Sequence, residues 1–372
     1  MVAGNILIVT EDDGLLDDLL RLCAAAGAEA EVAHGSPPGP GAWQSAPLVL
    51  VGDDRARALA RPAHAPARRA GVLLVGRDLD DPGVWRLGVA IGAEHVVFLP
   101  DGESWLTGRI ADAAEGVGRQ ALTVGVMGGR GGAGASTLAC ALAVTAARVG
   151  HRTMLVDGDP LGGGLDILLG GERTEGLRWP AFAESRGRVG GVALEESLPS
   201  LHGVRVLSWD RGDSVAIPPE AVRAVLGAAR RRGGVVVVDL PRYLDETVAE
   251  ALAQLDLGLV IVPAELRAVA AAHRVASRTG MVLRDLRVVV RASSGGGGES
   301  GLDGEEIARL LGLRLAGELP REAGLSAAVD GGRPPGADAH GPLARFCAEF
   351  WGRALPDDGG VPSTGGRGSV TV

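Results

Sequence analysis

The sequence predicts two successive α/β units, each a doubly wound, largely parallel sheet with helices on its faces. Three observations predict it. Short apolar runs alternate with amphipathic stretches along most of the chain. Runs such as VVVV at 235–238 are apolar without alternation, as strands buried on both faces are. The 372 residues exceed what one ordinary core accommodates, so two domains are expected.

In the first unit, residues 5–10, 47–52, 71–76 and 94–99 read as buried strands, and 15–26 as an amphipathic helix. The segment 35–41 (GSPPGPG) reads as a break within the unit rather than a boundary. A helical connector is expected over about 105–118. The second unit is expected to open with a strand at 123–128. Its further strands are placed at 153–157, 204–208, 234–240, 257–263, 286–291 and 315–319, with helices over 136–149 and 220–232. This gives domains at 1–110 and 122–352, a connector at 111–121, and a Gly-, Ser- and Pro-rich tail at 353–372 that is expected to be disordered. Residues 295–298 form a four-glycine loop, and no internal repeat is visible.

Hydrophobic residues make up 46% of the chain and charged residues 22%, the profile of a soluble globular protein. The net charge of −9 argues against a general nucleic-acid binder, because phosphate contacts need clustered positive charge. Arg68-Arg69 and Arg230 to Arg232 are the basic clusters; solvated helix ends explain them as well as a partner surface does. Cys23, Cys140 and Cys347 are far apart, lack metal-ligand spacing and read as buried, reduced thiols of a cytosolic protein. The start of the chain carries acids and no basic n-region, so no signal peptide is expected. No apolar run approaches the ~20 residues of a membrane span. All 37 basic residues other than histidine are arginine; the chain contains no lysine.

The most informative stretch is Met127-Gly128-Gly129-Arg130-Gly131-Gly132-Ala133-Gly134-Ala135-Ser136-Thr137. It follows a strand and opens a helix. Glycines there let backbone N–H groups turn inward around phosphate oxygens, and the helix N-terminus adds its positive dipole end. From Gly129 to Ser136 the spacing fits G-x-x-x-x-G-K-[ST], except that Ala135 stands where lysine belongs. A glycine-rich turn that binds nothing is the plain alternative. Two later acidic segments favour the phosphate loop: Asp157-Gly158-Asp159-Pro160 after the second strand, and 235–241 (VVVVDLP), which places Asp239 at a strand's carboxyl end. Standing alone, an aspartate after a valine run simply ends a strand.

These residues resemble the MinD/ParA group of P-loop ATPases, whose variant loop reads K-G-G-x-G-K-[ST]-T. Arg130 stands at the group's signature lysine and Ala135 at its second lysine. The resemblance covers about 121–350 and includes the order of the C-terminal segments LDGEEIARLLG (302–312), AGELP (316–320) and AAVDGGRP (327–334). It implies a Rossmann-like P-loop NTPase domain that binds ATP and Mg²⁺. Gly131, Gly132, Ala133, Gly134, Ala135, Ser136, Thr137 and Asp159 would then line the nucleotide, and Ser136 and Asp239 would serve the metal. Asp157 would act on the attacking water or the metal shell, and Arg130 would reach across an ATP-sandwich homodimer. The group's base-reading asparagine is absent from Val288-Val289-Val290-Arg291-Ala292.

Residues 5–110 resemble a degenerate response-regulator receiver, with Glu11 and Asp12 after the first strand and Asp53 after the third. The Ser/Thr after the fourth strand is missing, and Leu99-Pro100 replaces Lys-Pro. Phosphoryl transfer is therefore not expected, and a docking or dimerisation module is. A receiver-like domain before a MinD-like one is the layout of CpaE/TadZ-type proteins and of actinobacterial septum-site-determining (Ssd) proteins. The lysine-free, arginine-rich composition leans toward Ssd. The resemblance implies a cytoplasmic cell-division positioning regulator, drawn to septum or pole by partners, with weak ATP binding and little or no hydrolysis. A non-catalytic scaffold for a pilus or secretion apparatus is the alternative. The polar glycine-rich end implies no direct membrane anchor.

Overall fold

The computed structural model describes residues 5–34, 38–61, 67–79, 81–114, 120–185, 189–212, 216–292 and 302–355. The chain forms two compact units that divide near residue 120, with the short segments 190–192 and 231–233 grouped with the first. The tail from 356, the four-glycine loop and part of 35–41 lie outside the described residues.

The first unit runs β1 (Ile6–Val9), α1 (Asp13–Ala25), β2 (Ala30–Ala33), α2 (Pro40–Ser45), β3 (Val49–Gly52), α3 (Asp53–Leu59), β4 (Val72–Gly76), α4 (Gly83–Ile91), β5 (His95–Phe98) and α5 (Glu103–Ala114). Its sheet is parallel in the order β2-β1-β3-β4-β5. Alternate strand residues feed opposite faces. Ile6 and Ile8 pack with Leu15, Leu19 and Leu22 of α1, and Leu7 and Val9 with Trp43, Leu59 and Val84 of α2, α3 and α4. The helix expected as a connector is α5, and it belongs to this unit: Leu106 and Ile110 are buried in the α1 face. Its apolar stripe covers the sheet and is not a linker's surface.

The second unit contains β6 (Leu122–Gly128), α6 (Ala135–Arg148), β7 (Thr153–Asp157), α7 (Leu165–Leu168), α8 (Gly191–Ser197), β8 (Ser200–Leu201), β9 (Val204–Leu207), α9 (Pro219–Arg231), β10 (Val235–Leu240) and α10 (Glu246–Ala253). It continues with β11 (Leu257–Pro263), α11 (Leu266–Thr279), β12 (Leu286–Arg291), α12 (Gly304–Leu311), β13 (Arg314–Leu319), α13 (Leu325–Asp330) and α14 (Pro342–Ala354). The sheet order is β13-β12-β11-β6-β10-β7-β9-β8, parallel except for the short antiparallel β8–β9 pair. The α/β class and both parallel sheets read from the apolar runs are present. The strands β2 and β8 went unread: AEVA is a half-polar edge, and β8 has only two residues.

Strand β6 lies between β11 and β10, so the chain leaves it in opposite directions, toward β7 and β9 on one side and β11 to β13 on the other. The crevice beyond the carboxyl ends of such strands is where open parallel sheets bind ligands. Helix α6 starts there. It is buried along 138–146, between the sheet and α14, whose Trp351 donates its indole N–H to Leu142 O at 2.9 Å. Each leucine fully buried in that layer contributes roughly 1.5–3 kcal/mol, so the helix start is held on a rigid base.

Candidate phosphate-binding site

The loop between β6 and α6 is shaped by its glycines. Gly132 (φ 69°) and Gly134 (φ 104°) adopt left-handed conformations that residues with a Cβ avoid. Gly129 N donates to Ile261 O at 2.9 Å, which pins the loop's start to β11. Ala133 is buried beneath the loop, while Gly131 and Gly132 face solvent. Gly134 is the N-cap of α6 and offers no side-chain acceptor, so the first-turn N–H groups remain available to an anion.

Ser136, in the first turn of α6, stands close enough to the Asp239 carboxylate at the end of β10 to favour its charged form. Asp239 pairs in register with Asp157 at the end of β7, and Gly158 N donates to Asp239 O at 2.8 Å. Burial is the main reason the Asp239 carboxyl is pushed up to about 7; Ser136 opposes the shift, and Asp157 and Asp159 reinforce it. Burial likewise pushes Asp157 up to about 6.

Asp157 faces inward. Its carboxylate accepts from Ser208 Oγ at 2.8 Å, Leu165 N at 3.0 Å and Asp159 N at 3.2 Å. Its carbonyl accepts both the Trp179 and Trp209 indole N–H groups, at 2.6 and 3.1 Å. These contacts anchor the loop after β7. Asp159 is half-buried, and its Oδ1 accepts from Leu161 N at 3.0 Å. Among the described residues no group of three or more His, Cys, Asp or Glu is placed to hold a metal.

Arg130 is turned toward its own chain. Its Nη2 lies 3.1 and 3.3 Å from the two Glu265 carboxylate oxygens, and its Nη1 donates to Gly131 O at 3.1 Å. Two further arginines stand over the loop. A Cβ built on Gly131 would lie 3.6 Å from Arg242 Nη2, and one on Gly134 would lie 3.3 Å from Arg291 Nη1. A chamber of about 540 Å³ opens beside the start of α6, lined by Gly134, Thr137, Ile261, Arg291, Pro320 and Leu343, among others. Sequence reading missed Glu265, Ser208 and Arg242 as site residues, and it placed Arg291 in the base-reading segment rather than at the phosphate loop. For Arg291 one signal was available: a lone cation ending a buried strand.

In the first unit the acids are internally engaged. Asp12 caps α1 through Leu15 N at 2.9 Å, Glu11 pairs with Arg55 at 2.6 Å, and Arg77 lies 3.9 Å from Asp12. Asp54 rather than Asp53 closes the cluster, accepting from Thr10 Oγ1 at 2.9 Å and Glu11 N at 2.7 Å.

Comparison with known proteins adds a family. The model described as Rv3660c-like, CheY-like N-terminal domain matches residues 9–121. The protein Rv3660c of Mycobacterium tuberculosis is 37% identical over 329 residues, covering 86% of this chain and 90% of that one. The chain belongs to the Rv3660c-like family. In this Rv3660c-like chain the second unit has the MinD/ParA fold. A ParA family ATPase from Chlorobium tepidum matches with a TM-score of 0.55 at 16% identity, over 63% of this chain and 98% of that one. The MinD cell division protein of Aquifex aeolicus matches with a TM-score of 0.52 at 21% identity, over 63% and 96%. At these identities the shared property is the fold.

The residues of this Rv3660c-like chain fit the phosphates and cation of a magnesium nucleotide in all but one respect. Open glycines, an uncapped helix start, the Ser136–Asp239 pair and the adjoining chamber suit phosphates, a cation with its water shell, and a nucleoside. The exception is the missing loop cation at Ala135. Ser136 and Asp239 would hold Mg²⁺, which would supply positive charge to neutralise the phosphates.

Proposed function

We propose that this protein is a nucleotide-responsive positioning protein of the cell-division type, binding magnesium ATP or ADP weakly and turning it over slowly or not at all. The observation that carries the reading is the Ser136–Asp239 contact beneath a left-handed glycine loop, at the β6 switch point of a MinD/ParA fold. The similar solved proteins are named as ATPases or as a cell division protein. The resemblance to septum-site-determining proteins supports septum placement as the role. A nucleotide-linked homodimer, cell-division proteins as partners, and recruitment to septum or pole from the cytoplasm complete the proposal. Among the described residues no helix is long and apolar enough to cross a membrane.

A second reading has its own observation. Ala135 removes the loop's lysine, and Arg130 is occupied by Glu265. Both weaken stabilisation of the transferred phosphoryl group, which favours a non-catalytic scaffold for a division, pilus or secretion apparatus. Isothermal titration with MgATP and MgADP, using Asp239→Ala and Gly134→Val as controls, separates the readings. Micromolar binding lost in both variants supports the nucleotide switch. No binding at millimolar nucleotide removes the switch and leaves the scaffold.

A further inference from the structure

Arg291 ends β12, two strands away from the phosphate loop, with β11 between. It pairs in register with Pro263 of β11, and its side chain crosses that strand's end to the start of α6. There Nη1 comes within 3.3 Å of the position a Gly134 Cβ would take, beside Ile261 Cδ1 at 3.8 Å from the same point. The guanidinium therefore borders the chamber at the first turn of the helix.

Its surroundings are those of a cation without a counter-ion. Nε is buried and makes no hydrogen bond. Among the described residues the side chain forms no ion pair or hydrogen bond. The carboxylate that acts on this cation, on Glu265, already accepts two bonds from Arg130. Burial and the charge of Arg130 both act against the Arg291 cation, and Glu265 offsets them only in part. Two guanidinium groups thus share one carboxylate at the edge of a helix N-terminus. A partly desolvated cation with an unsatisfied donor is costly to hold and is relieved by an anion.

We infer that Arg291 supplies, from the chamber side, the positive charge that Ala135 withholds, and that it reads the phosphates of a polyphosphate ligand rather than a base. This rests on the nucleotide reading above and deepens it. The ligand class is a polyphosphate ester or anion. Arginine suits the role because its fork presents two parallel N–H donors to phosphate oxygens.

The test is calorimetric titration of the full chain with MgATP and, separately, with sodium tripolyphosphate. The native protein is compared with Arg291→Met, Arg291→Lys and Arg130→Met, and thermal melts verify folding. Native protein is expected to bind both ligands. Arg291→Met is expected to weaken both by at least about tenfold, Arg291→Lys to recover most of that loss, and Arg130→Met to lose less. Folded Arg291→Met binding both ligands like the native protein overturns the inference. So does a loss confined to ATP, which would place Arg291 on the nucleoside. If Arg291→Met does not fold, Arg291→Gln takes its place: at least about tenfold weaker binding of both ligands supports the inference, and native-like binding of both or a loss confined to ATP overturns it. If the native protein binds neither ligand, the nucleotide reading itself falls, an outcome distinct from failure of the arginine assignment alone.

Discussion

Arg130 Nη2 meets both carboxylate oxygens of Glu265, at 3.1 and 3.3 Å, so the arginine at the loop's signature position is paired within its own chain. The two side chains are about a third exposed, 35% and 39%. A pair this exposed adds little stability, ~0–1 kcal/mol. Its consequence is electrostatic: Glu265 offsets the positive charge that Arg130 brings to the phosphate loop. Glu265→Ala is therefore expected to leave the melting temperature nearly unchanged and to tighten MgATP binding severalfold. Calorimetry on the variant checks this, and unchanged or weaker binding would show that the carboxylate does not compete.

The Asp239 carboxyl gives a pH prediction. Burial raises it from the usual 3.8 to about 7, so the folded protein prefers its protonated form. Stability from this group is fully present below about 3.8 and is lost as pH rises toward 7, with no further change above. Asp157, raised to about 6, acts in the same direction over a narrower window. Asp239→Asn removes the titration, so without nucleotide its stability relative to native should grow between pH 5 and 7.5 and then level off. The gain should be on the order of 1–4 kcal/mol. Melting curves across that range test it; an advantage that shrinks with pH would reverse the sign.

Most strands of both sheets were legible because parallel strands buried on both faces are uninterrupted apolar runs, as in VVVVDL of β10 and LGLVIVP of β11. The phosphate loop was legible because its glycines are needed for backbone shape, which survives in sequence as spacing. The roles of Arg291, Glu265 and Ser208 were not. Each acts on a residue distant in the chain, Gly134, Arg130 and Asp157, and only the strand order β12-β11-β6-β10-β7-β9 brings them together. Helix α5 was misplaced as a connector because its length and polarity suit either role, and only its burial against α1 decides.

The first unit should not accept a phosphoryl group. Burial raises the Asp53 carboxyl above its usual range, and its Oδ1 already accepts from Asp54 N at 3.0 Å. Gly76 ends β4 and Arg77 follows it where a hydroxyl would be needed, and Arg77 is paired with Asp18 at 2.5 Å. No lysine exists to neutralise a phosphoaspartate. Intact-mass measurement after incubation with acetyl phosphate and Mg²⁺ is expected to show no phosphoryl adduct. An adduct mapped to Asp53 would restore a signalling role.

Truncating Asp166, just past the loop that Asp157 anchors, should cost the fold heavily. Its side chain is fully buried, and its Oδ2 meets Arg178 Nη2 at 3.2 Å and Arg211 Nη1 at 2.8 Å, with Oδ1 2.9 Å from Arg211 Nη2. Arg178 is itself only 12% exposed. Removing the carboxylate strands that guanidinium without a counter-charge, which costs about 3–5 kcal/mol where a buried pair is broken from one side. Arg211 is 47% exposed and can return to water, so Arg211→Ala should cost far less. Urea denaturation of Asp166→Ala and Arg211→Ala measures the difference. Equal, small losses would mean that Arg178 finds solvent, and that the loop after β7 is held by the Asp157 contacts alone.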